Sequence, residues 1–227
     1  MKGEGVGNRQ AKDALYDALA SVAKALGNGR RAELVDVLAQ GERSVEELAG
    51  EIAQTVANTS QHLQVLLRAG LVRTRRDGPR VYYSLAGNAV GELWRAMREV
   101  AGRHAARIEE LTEAYLGDRS RLATIGREEL LERMQAGDVV VLDVRPRAEY
   151  AAGHLPGAVN IPPDELEARL RDLPDGQPAV AYCRGPLCAY ADSAVRSLTA
   201  RGRSALRLVD GLPEWVAAGH PVVRESA

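Results

Sequence analysis

The chain of 227 residues holds two cysteines, Cys183 and Cys188, both inside the stretch AYCRGPLCAY at 181–190. Two thiols five positions apart, around Arg184, Gly185, Pro186 and Leu187, admit three uses. They can form a structural disulfide, fill a core as small hydrophobes, or work as thiols. The run AVAYC (179–183) reads as a buried strand, and YADSAVRSLTARG after the loop reads as a helix. Cys183 therefore ends a strand about six residues before a helix begins. In a sheet of parallel strands ligands bind at the carboxyl ends of the strands. The N–H groups of such a loop and of the helix start favour an anion. With Arg184 adding positive charge, the Cys183 thiol is expected to lose its proton readily, and the thiolate is the nucleophile.

A second constellation lies between Ile52 and Val81, where Arg68, Arg73, Arg75, Arg76 and Arg80 face a single acid, Asp77. A local excess of four positive charges suits phosphates. Helical spacing runs through residues 9–26 (Ala11, Leu15, Leu19, Val22, Leu26), and a second helix through Leu34, Val37 and Leu38. Ser44 and Glu47 form a capping box for a third helix with Val45, Leu48 and Ile52 on its apolar face. After a turn at Gln54-Thr55, a fourth helix (56–69) places Val56, Leu63, Leu66 and Leu67 inward and offers Asn58, Thr59, Ser60, Gln61, His62 and Gln64 to base edges or phosphates. LVRTRRDGPRVYYSL then reads as a hairpin turning at Asp77-Gly78 and carrying Arg73, Arg75, Arg76 and Arg80. This order is that of a winged helix-turn-helix. Residues 88–116 read as one long helix with an apolar stripe from Val90 to Tyr115, open to a partner copy or to cover by the second domain.

Glu47-Leu48-Ala49, Ser60-Gln61-His62-Leu63, Ala69-Gly70-Leu71-Val72 and Tyr82-Tyr83 make the region resemble the DNA-binding core of ArsR/SmtB-type transcriptional repressors. The resemblance implies that the long helix packs against its two-fold mate, and so a homodimer that reads an inverted-repeat operator in double-stranded DNA. Many of that family sense metals. Here residues 1–116 carry no cysteine, and His62 and His104 lie far apart, so no metal site and no cofactor are expected.

The polar stretch GDRSRLATIG (117–126) reads as a linker. Beyond it strands and helices alternate, with DVVVLDV (138–144), AVAYC and ALRLVDG (205–211) as strands, which implies an α/β domain with a mostly parallel sheet. The expected fold is thus a mainly-α winged helix-turn-helix domain at 1–116, a linker at 117–126 and an α/β domain at 127–227. LDVRPRAEYAAGHLPGAVNIP (142–162) and DGLPEWVAAGHPV (210–222), with the strand-ending cysteine, resemble the rhodanese (sulfurtransferase) family. By that resemblance Cys183 carries a persulfide and residues 184–188 form its active-site loop. Asp143, Arg145, Glu149 and His154 match the first motif and are read mainly as structural, an ion pair and turn that brace the sheet edge or lie near the site mouth; Trp215 is read as core. The loop departs from the family at Pro186, Leu187 and Cys188, where a glycine and a second arginine are usual. Cys188 there is placed to resolve a modified Cys183.

Composition adds limits. Net charge is −1, with 45% hydrophobic and 27% charged residues, as in ordinary globular chains. The polar, glycine-rich N-terminus does not read as a leader, and no apolar run approaches the roughly 18 residues of a membrane span. A cytoplasmic protein with no membrane partner is expected, where thiols stay reduced. The resulting expectation is a DNA-binding regulator, most simply a repressor, whose rhodanese-like domain receives sulfur from a sulfane-sulfur donor or senses an oxidant. The alternative is a sulfurtransferase whose winged helix serves dimerisation or localisation.

Overall fold

The computed structural model describes residues 8–174 and 176–225. The polar stretch through Gly7, expected not to be a leader, lies outside the described residues. The chain divides into two compact units, Met1–Arg95 and Ala96–Ala227.

The first unit runs α1 (Arg9–Leu26), α2 (Gly29–Leu38), β1 (Arg43–Ser44), α3 (Val45–Glu51), α4 (Val56–Arg68), β2 (Val72–Asp77) and β3 (Arg80–Leu85), then the start of α5 (Asn88–His104). The expected capping box forms: Glu47 N–H donates to Ser44 Oγ at 3.3 Å and Ser44 N–H to Glu47 Oε2 at 2.7 Å. Thr55 caps α4, its Oγ1 accepting from Asn58 N–H at 3.2 Å. Between the two helices the chain turns at Ala53, with φ of 50° in the left-handed region. Leu34, Leu38, Leu48, Ile52, Leu63 and Leu66 close the core. The hairpin turns at Gly78, whose φ of 56° favours glycine. β1, not expected from sequence, pairs with β3 and completes an antiparallel sheet in the order β1-β3-β2. In α1 only Ala25 and Leu26 are buried, and Leu15, Tyr16 and Leu19 lie exposed.

The second unit continues with α6 (Arg107–Leu116), β4 (Thr124–Ile125), α7 (Arg127–Ala136), β5 (Val140–Asp143), α8 (Arg147–Ala152), β6 (Val159–Asn160), α9 (Leu166–Arg169), β7 (Ala179–Tyr182), α10 (Ala189–Ala200), β8 (Ala205–Leu208) and α11 (Leu212–Ala217). Its five strands are all parallel, in the order β4-β8-β7-β5-β6. Alternate side chains serve opposite faces. Leu142, Ala181 and Cys183 join a cluster with Leu166, Val195 and Leu198. Val141, Val180, Tyr182 and Leu208 join another with Leu130, Leu212 and Trp215. The central strands, covered on both faces, are accordingly almost purely apolar.

Two expectations change here. The single helix over 88–116 is interrupted at Ala105 and Ala106. No proline stands there, and alanine favours helix, so pattern alone does not mark the break. The charges do: Arg103 and His104 occupy the last turn of α5, and Glu109 and Glu110 the first turn of α6. Each suits a helix end rather than a helix middle. The segment 117–126 is also more than a linker. Leu122 packs against the buried cluster of the second unit, and Thr124–Ile125 form the edge strand beside β8.

Candidate functional site

Cys183 follows directly on β7 and is 2% exposed. Cys188 is the N-cap of α10. Their sulfurs are bonded to one another, with the Cα atoms 6.2 Å apart. Among the described residues no cysteine is free. The loop is compact: Cys188 N–H donates to Gly185 O at 3.2 Å, and Leu212 N–H donates to Cys183 O at 3.3 Å. Gly211 lies so close beneath it that a Cβ there would stand 2.4 Å from the Arg184 carbonyl and the Gly185 nitrogen. Only glycine leaves room for that approach.

Arg184, expected to lend its charge to the sulfur, is committed elsewhere. Its Nε donates to both oxygens of Glu149, at 3.0 and 3.1 Å, and its Nη2 to Oε1 at 2.5 Å. Glu149 is fully buried. The buried carboxylate balances the guanidinium, so the expected one-sided positive charge on Cys183 is withdrawn. Glu149, on α8, thereby anchors the cysteine loop, as an ion pair near the site mouth. Asp143 and Arg145 do brace the sheet, both fully buried, with Arg145 Nε donating to Asp143 Oδ1 at 3.0 Å and Nη2 to Gly153 O at 2.7 Å. Burial disfavours the Arg145 cation, but its bonds to Asp143 outweigh that and raise its pKa. The Tyr182 hydroxyl donates to Asp143 and accepts from Leu155 N–H. Its pKa is raised, by burial first and then by the Asp143 charge.

Three groups that the sequence did not single out hold the loop from another side. Asp192, buried in the first turn of α10, accepts from Arg119 Nε at 2.5 Å and from Arg207 Nε at 2.7 Å. Arg119 also donates to Pro186 O at 2.8 Å and to Cys188 O at 3.4 Å. Arg207 donates to Gly185 O at 3.3 Å and to Pro186 O at 3.1 Å. Burial, helped by the neighbouring Arg119 cation, lowers the Arg207 pKa. Glu214 accepts from Gly211 N–H at 3.0 Å and pairs with Arg98.

On the first unit, Asn58, Gln61 and Gln64 are exposed on α4, while Ser60 and His62 are half-buried. Thr59 is a correction: it is fully buried and its hydroxyl donates to Thr55 O at 3.0 Å, so it cannot reach a base. Val56, expected inward, is 45% exposed. The helical spacing 59, 63, 66 places Thr59 on the core face. Arg73, Arg75, Arg76 and Arg80 are all exposed on the hairpin. Arg73 Nε donates to Ser84 Oγ at 3.0 Å, and Arg75 pairs with Glu42 at 2.6 Å.

Residues 28–74 match the family model "Bacterial regulatory protein, arsR family", and residues 126–218 match "Rhodanese-like domain". Over 216 residues the chain is 46% identical to the HTH-type transcriptional regulator Rv0324 of Mycobacterium tuberculosis, covering 95% of both chains. The chain belongs to the arsR family of regulatory proteins. It is a transcriptional regulator with a winged helix-turn-helix region and a C-terminal rhodanese-like domain. The regulator is also 32% identical, over 44% of its length and 92% of the relative's, to a protein named sulfurtransferase in Allochromatium vinosum. Among solved structures it is similar to the homodimeric winged helix-turn-helix DNA-binding domain of a possible ArsR-family regulator from Mycobacterium bovis, 42% identical. That match covers 47% of the regulator and 95% of the domain, with a TM-score of 0.41.

Of Arg119, Asp192 and Arg207, which hold the regulator's loop, the last alone left a trace in the sequence. It is a charged residue inside the strand ALRL, where burial demands a partner. Arg119 and Asp192 left none, because they meet it only through the fold. Among the described residues no cluster of His, Cys, Asp and Glu could hold a metal, and no helix is long and apolar enough to cross a membrane.

Proposed function

We propose that the regulator is a cytoplasmic repressor that binds an inverted-repeat operator as a homodimer, and that reactive sulfur or an oxidant at Cys183 changes its affinity for that operator. The pairing of Cys183 with Cys188 at the end of β7 carries this reading. The Cys183 thiolate attacks the outer sulfur of a sulfane-sulfur donor. The donor's sulfur–sulfur bond breaks, and its remaining part leaves with the electron pair. Cys183 then holds a persulfide. Attack by the Cys188 thiol on the Cys183 sulfur expels hydrogen sulfide and leaves the disulfide, with no further reactant needed. Asn58, Ser60, Gln61, His62 and Gln64 on α4 face the DNA in this reading, with Arg73, Arg75, Arg76 and Arg80 on the hairpin. The exposed apolar residues Leu15, Tyr16 and Leu19 of α1 support the homodimer.

The sulfurtransferase reading draws on the similarity to the Allochromatium protein and predicts turnover without operator binding. Intact-mass measurement tests the site. The Cys188→Ser variant, incubated with a polysulfide, is expected to gain one sulfur at Cys183. A Cys183→Ser variant that gains sulfur at the same rate would overturn the assignment.

A further inference from the structure

We propose that Arg119, Asp192 and Arg207 form a clamp that positions Cys188 for bond formation with Cys183. The inference rests on the reading of Cys188 as the resolving thiol. The loop between the cysteines contains Gly185, which loses much conformational freedom on ordering, and Pro186, which has no N–H to tie it down. What fixes it is its carbonyls. Those of Gly185, Pro186 and Cys188 all accept from the two arginines.

The geometry explains why. Asp192 is 1% exposed and gives one oxygen to each guanidinium. Each guanidinium carries five N–H donors, far more than a shared carboxylate accepts. The surplus donors turn to the loop carbonyls. Asp192 lies one turn beyond Cys188 in α10, so the same group ties the helix start to the loop. Arg207 comes from β8 and Arg119 from the segment directly after α6. These are positioning residues: they act through the backbone that carries Cys188.

The step they serve is a two-electron exchange with a low-molecular-weight disulfide such as oxidised glutathione. The two protein thiols give up two electrons and their protons, the glutathione sulfur–sulfur bond breaks, and two glutathione thiols leave. A clamp that holds Cys188 near Cys183 raises the equilibrium constant for this exchange. Loss of Arg119 removes a charge-assisted contact with Asp192 and two loop contacts, at a net cost of roughly a tenfold shift in an equilibrium. Lysine keeps the charge but cannot span a carboxylate and two carbonyls as the planar fork does.

The test equilibrates the full chain with reduced and oxidised glutathione and quantifies the internal bridge by thiol alkylation and mass. Arg119→Ala is expected to shift the equilibrium about tenfold toward the dithiol, and Arg119→Lys about threefold, with thermal unfolding of the lysine variant unchanged. If Arg119→Ala does not fold, the lysine variant carries the test on the same readout. Both variants within twofold of the unmodified chain would overturn the clamp. An unmodified chain that forms no internal bridge would instead overturn the resolving role of Cys188, and the clamp with it.

Discussion

Arginine does opposite work in the two units. On the hairpin of the first unit, Arg75 leaves about half of its side chain in solvent, at 53%, even while it pairs with Glu42. In the second unit Arg145 is fully buried, Arg207 is 6% exposed, and each is tied to a buried carboxylate. An exposed guanidinium contributes little to folding and keeps its field for phosphates. A buried one must be paired, and removal of its partner is costly. The contrast separates an exposed, solvated set of charges from a scaffold of buried pairs that holds a loop.

The contrast breaks if a buried pair proves dispensable. Asp143→Ala strands the Arg145 cation and removes the acceptor of the Tyr182 hydroxyl. Urea unfolding is expected to show a loss of about 3–5 kcal/mol. A loss under about 1 kcal/mol would mean that water reaches Arg145 and that the brace is ordinary surface chemistry. The smaller effect lies at the other pole. Arg76→Ala on the hairpin is expected to leave stability within about 0.5 kcal/mol. In the same variant the salt dependence of operator binding is expected to weaken by about one ion per wing. An unchanged salt slope would remove Arg76 from the DNA-facing set.

The same division governs how much the sequence disclosed. Patterns of local origin were legible: the Ser44–Glu47 box, the Asp77-Gly78 turn, and the alternation that places Cys183 at a strand end. Contacts between distant segments were not. Arg184 meets Glu149 across 35 positions and Arg119 meets Asp192 across 73, and no periodicity encodes either. The Arg184 expectation failed for that reason: next to Cys183 in sequence, its charge is matched by a partner from α8. Thr59 shows the opposite lapse. Its place on the core face was readable from spacing with Leu63 and Leu66, but its polar character suggested a DNA contact. The edge strand at Thr124–Ile125 was hidden because two residues are too few to show alternation.

The proposed function joins the two poles: in it, chemistry at the buried loop changes the affinity for operator DNA. One titration tests it most directly. Labelled operator DNA is titrated at fixed salt with the dithiol form, and with the form bearing the Cys183–Cys188 bridge, followed by fluorescence anisotropy. The account predicts affinities that differ by roughly 5–150-fold, the range of typical coupling energies, and a difference abolished by Cys183→Ser. Equal affinities for the two forms of the unmodified regulator would contradict it.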